Sequence, residues 1–143
     1  MADRLREYAK RRNFEHTAEP EGGMTGRRGC LSFVVQHHMA RREHYDLRLE
    51  WDGAFLSWAV PKGPSYDPRD RRLAVMVEDH PLEYRNFEGT IPKGEYGGGV
   101  VMIWDEGCFE PAGDVEQGLA AGSLKFILKG RRLKGKWVLV RLQ

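Results

Sequence analysis

The sequence predicts an all-β protein, an antiparallel sheet curled into a barrel or a sandwich. About seven apolar runs of strand length follow one another closely, and turn residues such as glycine or proline separate most of them. An Asp-Gly step at 52–53 joins two of these runs, and it is a strong hairpin signal because glycine accepts the positive φ of a tight turn. Helical periodicity is confined to short stretches. This pattern is typical of an antiparallel β architecture.

The elements follow in order along the chain. Apolar Leu5 and Tyr8 stand at helical spacing, which predicts a short N-terminal helix over 3–12. The polar, glycine-containing stretch 13–29 predicts an extended loop. The predicted strands then run over 30–37, 44–51, 54–60, 72–78, 100–104, 124–129 and 136–142. One or two helical turns are predicted over 114–121, ended by a glycine.

Length and composition predict one domain over 1–143, with an N-terminal helix and loop at 1–29 and a β core at 30–143. Of the 143 residues, 41% are hydrophobic and 31% are charged, which is ordinary for a soluble globular protein. No signal peptide or apolar run of membrane length is present, so we expect a cytoplasmic protein. Cys30 and Cys108 are expected to be unpaired thiols in a reducing compartment. Since no oligomerisation signal is present, a monomer is expected.

The basic residues cluster, although the net charge is only +2. Residues 125–143 contain seven basic side chains and no acidic one, and Lys10, Arg11 and Arg12 form a second cluster. Clustered basic charge steers a polyanion even when the total charge is near balance. A solvated surface hairpin explains the C-terminal cluster equally well.

The predicted strand His44–Trp51 carries the clearest functional signal. Its polar and apolar residues alternate, which predicts a half-buried strand with His44, Asp46 and Arg48 on the polar face. Imidazole and carboxylate are ligands for a borderline divalent ion, and guanidinium fits a phosphate. His38, six residues upstream of His44, would complete a set of two histidines and one carboxylate. Such a set leaves positions for water and substrate and suits Mn, Fe, Co or Zn. A lone histidine is more often an ordinary hydrogen-bonded residue, but the trio beside a guanidinium favours the metal interpretation.

Other candidate residues are ambiguous when each is considered singly. Adjacent strand residues point to opposite faces, so only one of His37 and His38 should face the metal. His80 follows a predicted strand and precedes a proline, where loops commonly present catalytic groups, although a simple turn residue fits equally well. The remaining ambiguous candidates are Arg12, Lys62 and Tyr84.

Six long or unusual strings extend this signal along the chain. They are FVVQHH at 33–38, HYDLRLE at 44–50, SWAVPKGP at 57–64, RLAV at 72–75, EDHPLEY at 78–84 and FEGTIPKGEYG at 87–97. Together, and in this order, they closely resemble the 3′-phosphoesterase module of bacterial DNA ligase D. The resemblance covers most of residues 8–143. Stand-alone versions occur in bacteria and archaea, and the chain looks like one, without a polymerase or ligase segment.

The resemblance implies an antiparallel β-barrel enzyme that heals 3′ ends during DNA end joining. Enzymes of this kind are manganese-dependent phosphomonoesterases that remove a 3′-terminal phosphate, and they also trim a 3′-terminal ribonucleotide from a primer strand. By motif, the metal ligands fall on His38, His44 and Asp46. Mn²⁺ is the expected ion, with Co²⁺ or Zn²⁺ as alternatives at the same site.

The resemblance also assigns substrate and activity roles. Arg48 and His80 match contacts to the scissile phosphate, and Tyr84 matches a residue needed for activity. The N-terminal segment of the family supplies an Arg-Asp pair and a downstream Glu. These residues matter for activity, and their positions fall on Arg12, Asn13 and Glu19, of which Arg12 and Glu19 are expected to bind the substrate phosphate. Asn13 departs from the acidic residue, and an amide accepts a hydrogen bond without carrying charge, which bears on the ribonucleotide-trimming activity.

These assignments lead to a mechanistic hypothesis. The metal polarises a phosphoryl oxygen, while Arg48 neutralises the charge that develops on the phosphate. His80 binds the phosphate and acts as general acid to the leaving 3′ oxygen, with Tyr84 as orienter or donor. Lys62 and Arg72, with the basic segments, hold the backbone of a DNA or DNA/RNA primer–template without reading its sequence. A separate DNA ligase or polymerase of an end-joining system is a further candidate partner.

Two other function classes fit parts of the pattern. His44 and Asp46 with distant His80 imitate the iron facial triad of oxygenases. A non-catalytic barrel that only binds DNA ends would leave the His/Asp set without a purpose. The long family match favours the phosphoesterase over both.

Overall fold

The computed structural model describes residues 2–22 and 29–142. Most of its regular structure is one antiparallel sheet of eight strands. The strands are β1 Leu31–Ala40, β2 His44–Trp51, β3 Ala54–Val60, β4 Val75–His80, β5 Gly89–Ile91, β6 Gly99–Pro111, β7 Ser123–Gly130 and β8 Lys134–Val140. The described helices are α1 Arg6–Lys10, α2 Val115–Ala121 and the 3₁₀ turns Ala2–Leu5 and Leu82–Asn86. The predicted all-β class is confirmed.

The sheet curls into a half-barrel with the strand order β4-β3-β2-β1-β6-β7-β8, and β5 pairs with β6 beside this path. β1 lies at the centre of the order, between its hairpin partner β2 and the long strand β6. β2 is flanked in turn by β3. The β1–β2 hairpin, which carries the predicted metal ligands, is therefore supported by a neighbouring strand on each side.

The predicted strand boundaries hold for β2 and β3 and shift elsewhere. The Asp-Gly turn fixes the end of β2 and the start of β3, since Asp52 and Gly53 both have positive φ, at 52° and 82°. β6 extends to Pro111, past its predicted end at 104, because its far half pairs with both β1 and β7. β5 lies outside the predicted strands, and its three residues are defined only by pairing with β6. β4 begins at Val75 rather than at 72.

The β1–β3 region is buried on both faces, which corrects the expectation of a half-buried β2. One face packs into a core that includes Phe33 and Leu49. The other face is covered by Tyr8 of α1 and by apolar side chains that follow β4. The polar residues of β2 are consequently buried, and Asp46 and Arg48 are only 5% and 3% exposed. Alternation along β2 predicted one polar and one apolar side of the strand. Segments distant in sequence cover both sides, so neither is open to solvent.

Cys30 and Cys108 form a disulfide, so the prediction of two unpaired thiols is wrong. The two residues are 78 positions apart in sequence, but β1 and β6 pair with Ser32 opposite Cys108. This pairing brings the two Cα atoms to 5.8 Å, a separation that a disulfide spans. The bond ties the start of β1 to β6.

The N-terminal segment lies against the sheet through Arg4 and Tyr8. Arg4 forms ion pairs with Asp52 at 3.1 Å and with Asp79 at 3.2 Å. Tyr8 is fully buried, and its hydroxyl donates to the carbonyl of Pro20. α1 is shorter than the predicted helix, and the central part of the predicted loop, 23–28, lies outside the described residues. Among the described helices, none has the length and apolar character needed to cross a membrane.

Candidate metal centre

The antiparallel pairing of β1 with β2 brings the predicted ligands together. His38 stands opposite His44, and Gln36 stands opposite Asp46. Residues two apart on a strand share a face, so these side chains lie on the same side of the sheet as Arg48. The pairing therefore converts a local spacing on β2 into a cluster drawn from two strands.

His38, His44 and Asp46 form a group that could hold a metal ion, with one ligand atom from each within 4.8 Å of the others. His44 Nε2 lies 3.2 Å from Asp46 Oδ1, and His38 Nδ1 lies 3.6 Å from Asp46 Oδ2. The other ring nitrogens donate to backbone carbonyls, His38 Nε2 to Gly97 at 2.8 Å and His44 Nδ1 to Arg42 at 2.9 Å. Because a carbonyl only accepts, these bonds fix the tautomer of each neutral ring, whose nitrogen nearer Asp46 carries a lone pair and can take up a proton to donate to Asp46. This donor set fits a divalent transition ion.

The local electrostatics keep Asp46 ionised. Burial alone would raise its pKa, but the Arg48 guanidinium and the hydrogen bonds from both histidines hold the pKa of Asp46 well below its ordinary value. Arg48 Nη2 lies 3.5 Å from Asp46 Oδ2. The hydrogen bond to Asp46 raises the pKa of His44 above its usual value, against the effect of burial. Binding of a cation would therefore have to displace a proton from His44 at mildly acidic pH.

Arg48 is fixed beside the ligand group. Its Nε donates to Gln36 Oε1 at 2.8 Å, and its guanidinium carbon lies 4.6 Å from the centre of the Tyr84 ring. Gln36 in turn donates to the carbonyls of Tyr84 and Phe87, at 2.7 and 3.0 Å. Among the described residues, buried Arg48 Nη1 has no hydrogen-bond partner. A buried donor of this kind is costly when unsatisfied, so the nitrogen is suited to a bound anion.

Tyr84 and His80 belong to a buried network with the N-terminal segment. The Tyr84 hydroxyl donates to Glu19 Oε2 at 2.6 Å, and Arg12 Nε donates to the same oxygen at 2.9 Å. Arg12 Nη1 donates to Glu78 Oε2 at 3.0 Å, and Arg12 Nη2 lies 3.3 Å from His80 Nε2. The structure thus brings Arg12 and Glu19 to the predicted site residues from the other end of the chain. Their contacts are with protein groups, which favours an indirect role over direct phosphate binding.

His80 and Tyr84 are both uncharged near neutral pH. His80 Nδ1 donates to the carbonyl of Glu78 at 2.9 Å, so its Nε2 carries the lone pair that faces Arg12. Burial, with the positive charges of Arg48 and Arg12, holds the pKa of His80 well below its ordinary value. Burial raises the pKa of Tyr84, against the effect of Arg48. His80 lies outside the metal-ligand group, so it is not the third ligand of the triad that the oxygenase alternative invokes.

The remaining predicted residues lie apart from this network. Asn13 Oδ1 accepts from the backbone N–H of Glu15 at 3.0 Å, and the carboxylate partners of Arg12 are Glu19 and Glu78 instead. Lys62 and Arg72 are exposed in the loop between β3 and β4. There Arg72 Nη1 donates to the Lys62 carbonyl at 2.9 Å. The structure therefore brings these two residues together on one surface loop.

An open cleft of about 590 Å³ borders the ligand group. It is lined by Ala40, Arg41, Arg42, His44, Gly97 and Gly98. The sequence did not single out Arg41 and Arg42, because charged residues of this kind are ordinary in a turn between two strands. Sequence-based reasoning also missed buried Gln36 and Glu78. Gln36 offered a usable signal, because a single amide directly follows the apolar run 33–35 within the strand.

Comparison with known proteins agrees with this geometry. The profile of the DNA Ligase D 3'-phosphoesterase domain matches residues 36–141. The multifunctional non-homologous end joining protein LigD of Pseudomonas aeruginosa is 52% identical over 139 residues, covering 96% of this chain and 16% of that protein. The multifunctional non-homologous end joining DNA repair protein LigD of Mycobacterium tuberculosis is 44% identical over 144 residues, covering 99% and 19%. The corresponding protein of Mycolicibacterium smegmatis is 42% identical over 150 residues, with the same coverage of 99% and 19%. The chain spans less than a fifth of the length of these relatives. With a matching profile over most of its length, the chain belongs to the DNA ligase D 3′-phosphoesterase domain family.

Proposed function

We propose that this protein is a metal-dependent phosphoesterase that removes a 3′-terminal phosphate from DNA ends during end-joining repair. Family membership supports the reaction class, and the names of its relatives, which are non-homologous end joining proteins, support the DNA end as the substrate. The proposal extends to trimming of a 3′-terminal ribonucleotide from a primer–template, to a monomer as the acting species and to a cytoplasmic location.

One observation carries the proposal: the buried, unpaired Nη1 of Arg48 beside a group of metal-ligand type. A structural guanidinium at 3% exposure would be expected to have all its nitrogens satisfied. In Arg48, Nε instead donates to Gln36 and Nη2 lies near Asp46, which leaves the Nη1 nitrogen for a ligand. An anion that also contacts a cation held by the ligand group would satisfy it, and a terminal phosphate has this chemistry.

His38, His44 and Asp46 would hold the ion, for which we propose Mn²⁺. When bound, such an ion supplies Lewis-acid polarisation of a phosphoryl oxygen and activation of a water nucleophile. Arg48 binds the phosphate oxygens and neutralises the negative charge that develops during displacement. Its stacking on Tyr84 and its bond to Gln36 fix the guanidinium of Arg48 in place before substrate arrives, so little reorganisation is needed at the moment of reaction.

His80 is proposed as a second phosphate contact and as the general acid to the leaving 3′ oxygen. In the free protein its imidazole is neutral, because burial and two nearby guanidinium groups oppose a further positive charge. The charge of a bound phosphate would offset Arg48 and Arg12 and favour protonation at Nε2. The proton would then be taken up only with substrate, which suits delivery to a leaving alkoxide. Tyr84, held by Glu19, is the proposed orienting group.

Arg12 and Glu19 are proposed to act by holding Tyr84 and His80 in position, and through them to support ribonucleotide trimming. Asn13 contributes no charge to this network. We propose that Lys62 and Arg72 bind the DNA backbone, together with Arg41 and Arg42 of the cleft. Contacts of this kind neutralise phosphates and do not read sequence. A separate DNA ligase or polymerase is proposed as the protein that receives the healed end.

The test is a labelled primer–template that ends in a 3′-phosphate, incubated with Mn²⁺, Mg²⁺ or EDTA. A second primer with one 3′-terminal ribonucleotide tests trimming. We expect metal-dependent phosphate release that is abolished in His44→Ala. Its rate should fall at least ~100-fold in Arg48→Lys, because the lysine ammonium cannot reproduce the planar, bidentate contact of a guanidinium. The matched control is Arg69→Ala, which removes an arginine side chain that is 89% exposed, and its activity should equal wild type. Binding of the primer without release under any metal would instead support a DNA-end-binding module.

A further inference from the structure

Aromatic and basic side chains form a strip on the face of the sheet opposite the metal ligands. His37 and Tyr45 pair across β1 and β2, and their rings stack with centroids 4.5 Å apart and planes at 13°. The Trp104 ring lies edge-on to Tyr45 at 5.6 Å, and the Arg132 guanidinium lies over Trp104 at 4.8 Å. The aromatic–cationic strip is defined by these four residues together with Met102, which stands opposite His37.

The strip is open to solvent in spite of its aromatic character. Met102 is 46% exposed and Arg132 is exposed, while the three rings are partly exposed. Tyr45 and Trp104 pack against the core, and the His37 ring and the Arg132 guanidinium stack on them, so a base would stack on these two outer groups. Two carboxylates touch the strip: Glu43 bonds His37, and Asp105 accepts from the backbone N–H of Arg132 at 3.1 Å. In the described ranges 2–22 and 29–142, the Arg132 guanidinium has no ion-pair partner, so its charge is available to a ligand.

The location of the strip links it to the metal centre. His37 and Tyr45 are the immediate neighbours of His38 and His44, one residue further along the same two strands. Only residues 41–43 connect β1 to β2, and two arginines of this turn line the cleft on the metal side. A nucleic-acid strand that passes this short basic turn would move from the metal face to the strip within a few nucleotides.

We infer that the strip binds the unpaired 5′ overhang opposite a recessed 3′ end, by stacking bases on its rings. This inference rests on the proposed function, because the first unpaired nucleotides of the overhang lie next to the 3′ end at the metal centre. Partly exposed aromatic rings with nearby cations are what single-stranded DNA requires, since every base has a π face and every nucleotide a phosphate. Arg131 and Arg132, in the turn between β7 and β8, supply exposed positive charge at the strip.

The experiment compares three duplexes with the same 3′-phosphate: one with a 5′ overhang, one with an overhang of abasic nucleotides, and one that is blunt. Binding is measured in EDTA, which keeps the substrate intact, by fluorescence anisotropy of a labelled strand. The normal overhang should bind roughly tenfold more tightly than the other two, the gain expected from about one stacked base. 5-Iododeoxyuridine placed in the overhang should cross-link to peptides that contain Tyr45 or Trp104.

Variants separate stacking from general electrostatics. Trp104→Leu and Arg132→Ala should remove most of the overhang advantage and leave the affinity for blunt DNA unchanged, whereas Trp104→Phe should retain much of it. Arg69→Ala is the charge-matched control, because its guanidinium pairs at the surface with Asp67 and with no other residue of the described ranges. If Trp104→Leu fails to fold by circular dichroism, the response of Arg132→Ala to the normal and abasic overhangs decides the question.

The inference is overturned by equal affinity of the wild type for all three duplexes, or by cross-links that fall outside the strip. Cross-linking and binding are measured without turnover. A failure of the proposed function, seen as no phosphate release with any metal, is therefore distinguishable from a failure of the strip. A strip that takes a protein partner instead would give wild-type DNA affinity in both Trp104→Leu and Arg132→Ala, which also refutes the inference.

Discussion

Replacement of Arg12 by alanine should be among the most destabilising single changes outside the apolar core. The Arg12 guanidinium bonds Glu19 at 2.9 Å and Glu78 at 3.0 Å, and the two carboxylate side chains are only 1% and 3% exposed. Arg12→Ala leaves both charges buried without their cation. Removal of one partner from a buried ion pair costs about 3–5 kcal/mol, and we expect a loss of about 4 kcal/mol in the free energy of unfolding. Urea denaturation followed by tryptophan fluorescence measures it.

Arg11→Ala is the matched control from the next position. Arg11 is 43% exposed and pairs with Glu7 one helical turn away, so its removal should change the free energy of unfolding little. The pH dependence adds a second criterion. Protonation relieves an unpaired buried carboxylate, so the deficit of Arg12→Ala should shrink as the pH is lowered from 7 towards 4. A deficit below about 1 kcal/mol, equal to that of Arg11→Ala and independent of pH, would refute the assignment of Arg12 as the cation that neutralises both carboxylates.

Three further predictions follow from the same contacts. Reduction of the disulfide, or the double change of Cys30 and Cys108 to serine, should lower the free energy of unfolding by about 2–4 kcal/mol, measured by urea denaturation with and without dithiothreitol; an unchanged midpoint would contradict it. Because the pKa of His80 is lowered on folding, the metal-free protein should lose up to about 1.4 kcal/mol per pH unit below about pH 6.5, and His80→Gln should abolish this slope between pH 5 and 6.5. The pKa of His44 is raised on folding, so its contribution to the free energy of unfolding is constant below about pH 6.5 and is lost as the pH rises above that value. It therefore does not affect the slope between about pH 5 and 6.5. Mn²⁺ at about 100 times its dissociation constant should stabilise the wild type by about 2.7 kcal/mol and His44→Ala not at all, measured by thermal denaturation.

The parts of the fold predicted well are those encoded by neighbouring residues. β2 and β3 have their predicted bounds because alternation and the Asp-Gly turn act over a few residues. β6 is longer than predicted because its second half, with a bulge and a glycine, becomes a strand only by pairing with β1 and β7. Local pattern carries no information about such partners. The same reason explains β5, whose three residues have no strand signal of their own.

The candidate site divides in the same way. Alternation placed His44, Asp46 and Arg48 on one face, and their residue types indicated metal and phosphate chemistry. The contacts that prepare them were not predictable: the carbonyl that fixes the His38 tautomer comes from Gly97, 59 positions away in sequence. Gln36, which orients Arg48, lies on the neighbouring strand.

By itself, the sequence determined the all-β class, the strand that presents the site and the chemical types of its side chains. These properties depend on residues within a few positions of one another, where the period of a strand decides which side chains share a face. Only the tertiary structure decided that the polar face of β2 is buried, that the two cysteines are bonded, and that Arg48 retains one unpaired donor. Burial and pairing are properties of distant segments in contact, and those contacts form only when the sheet closes over the N-terminal segment and the chain that follows β4.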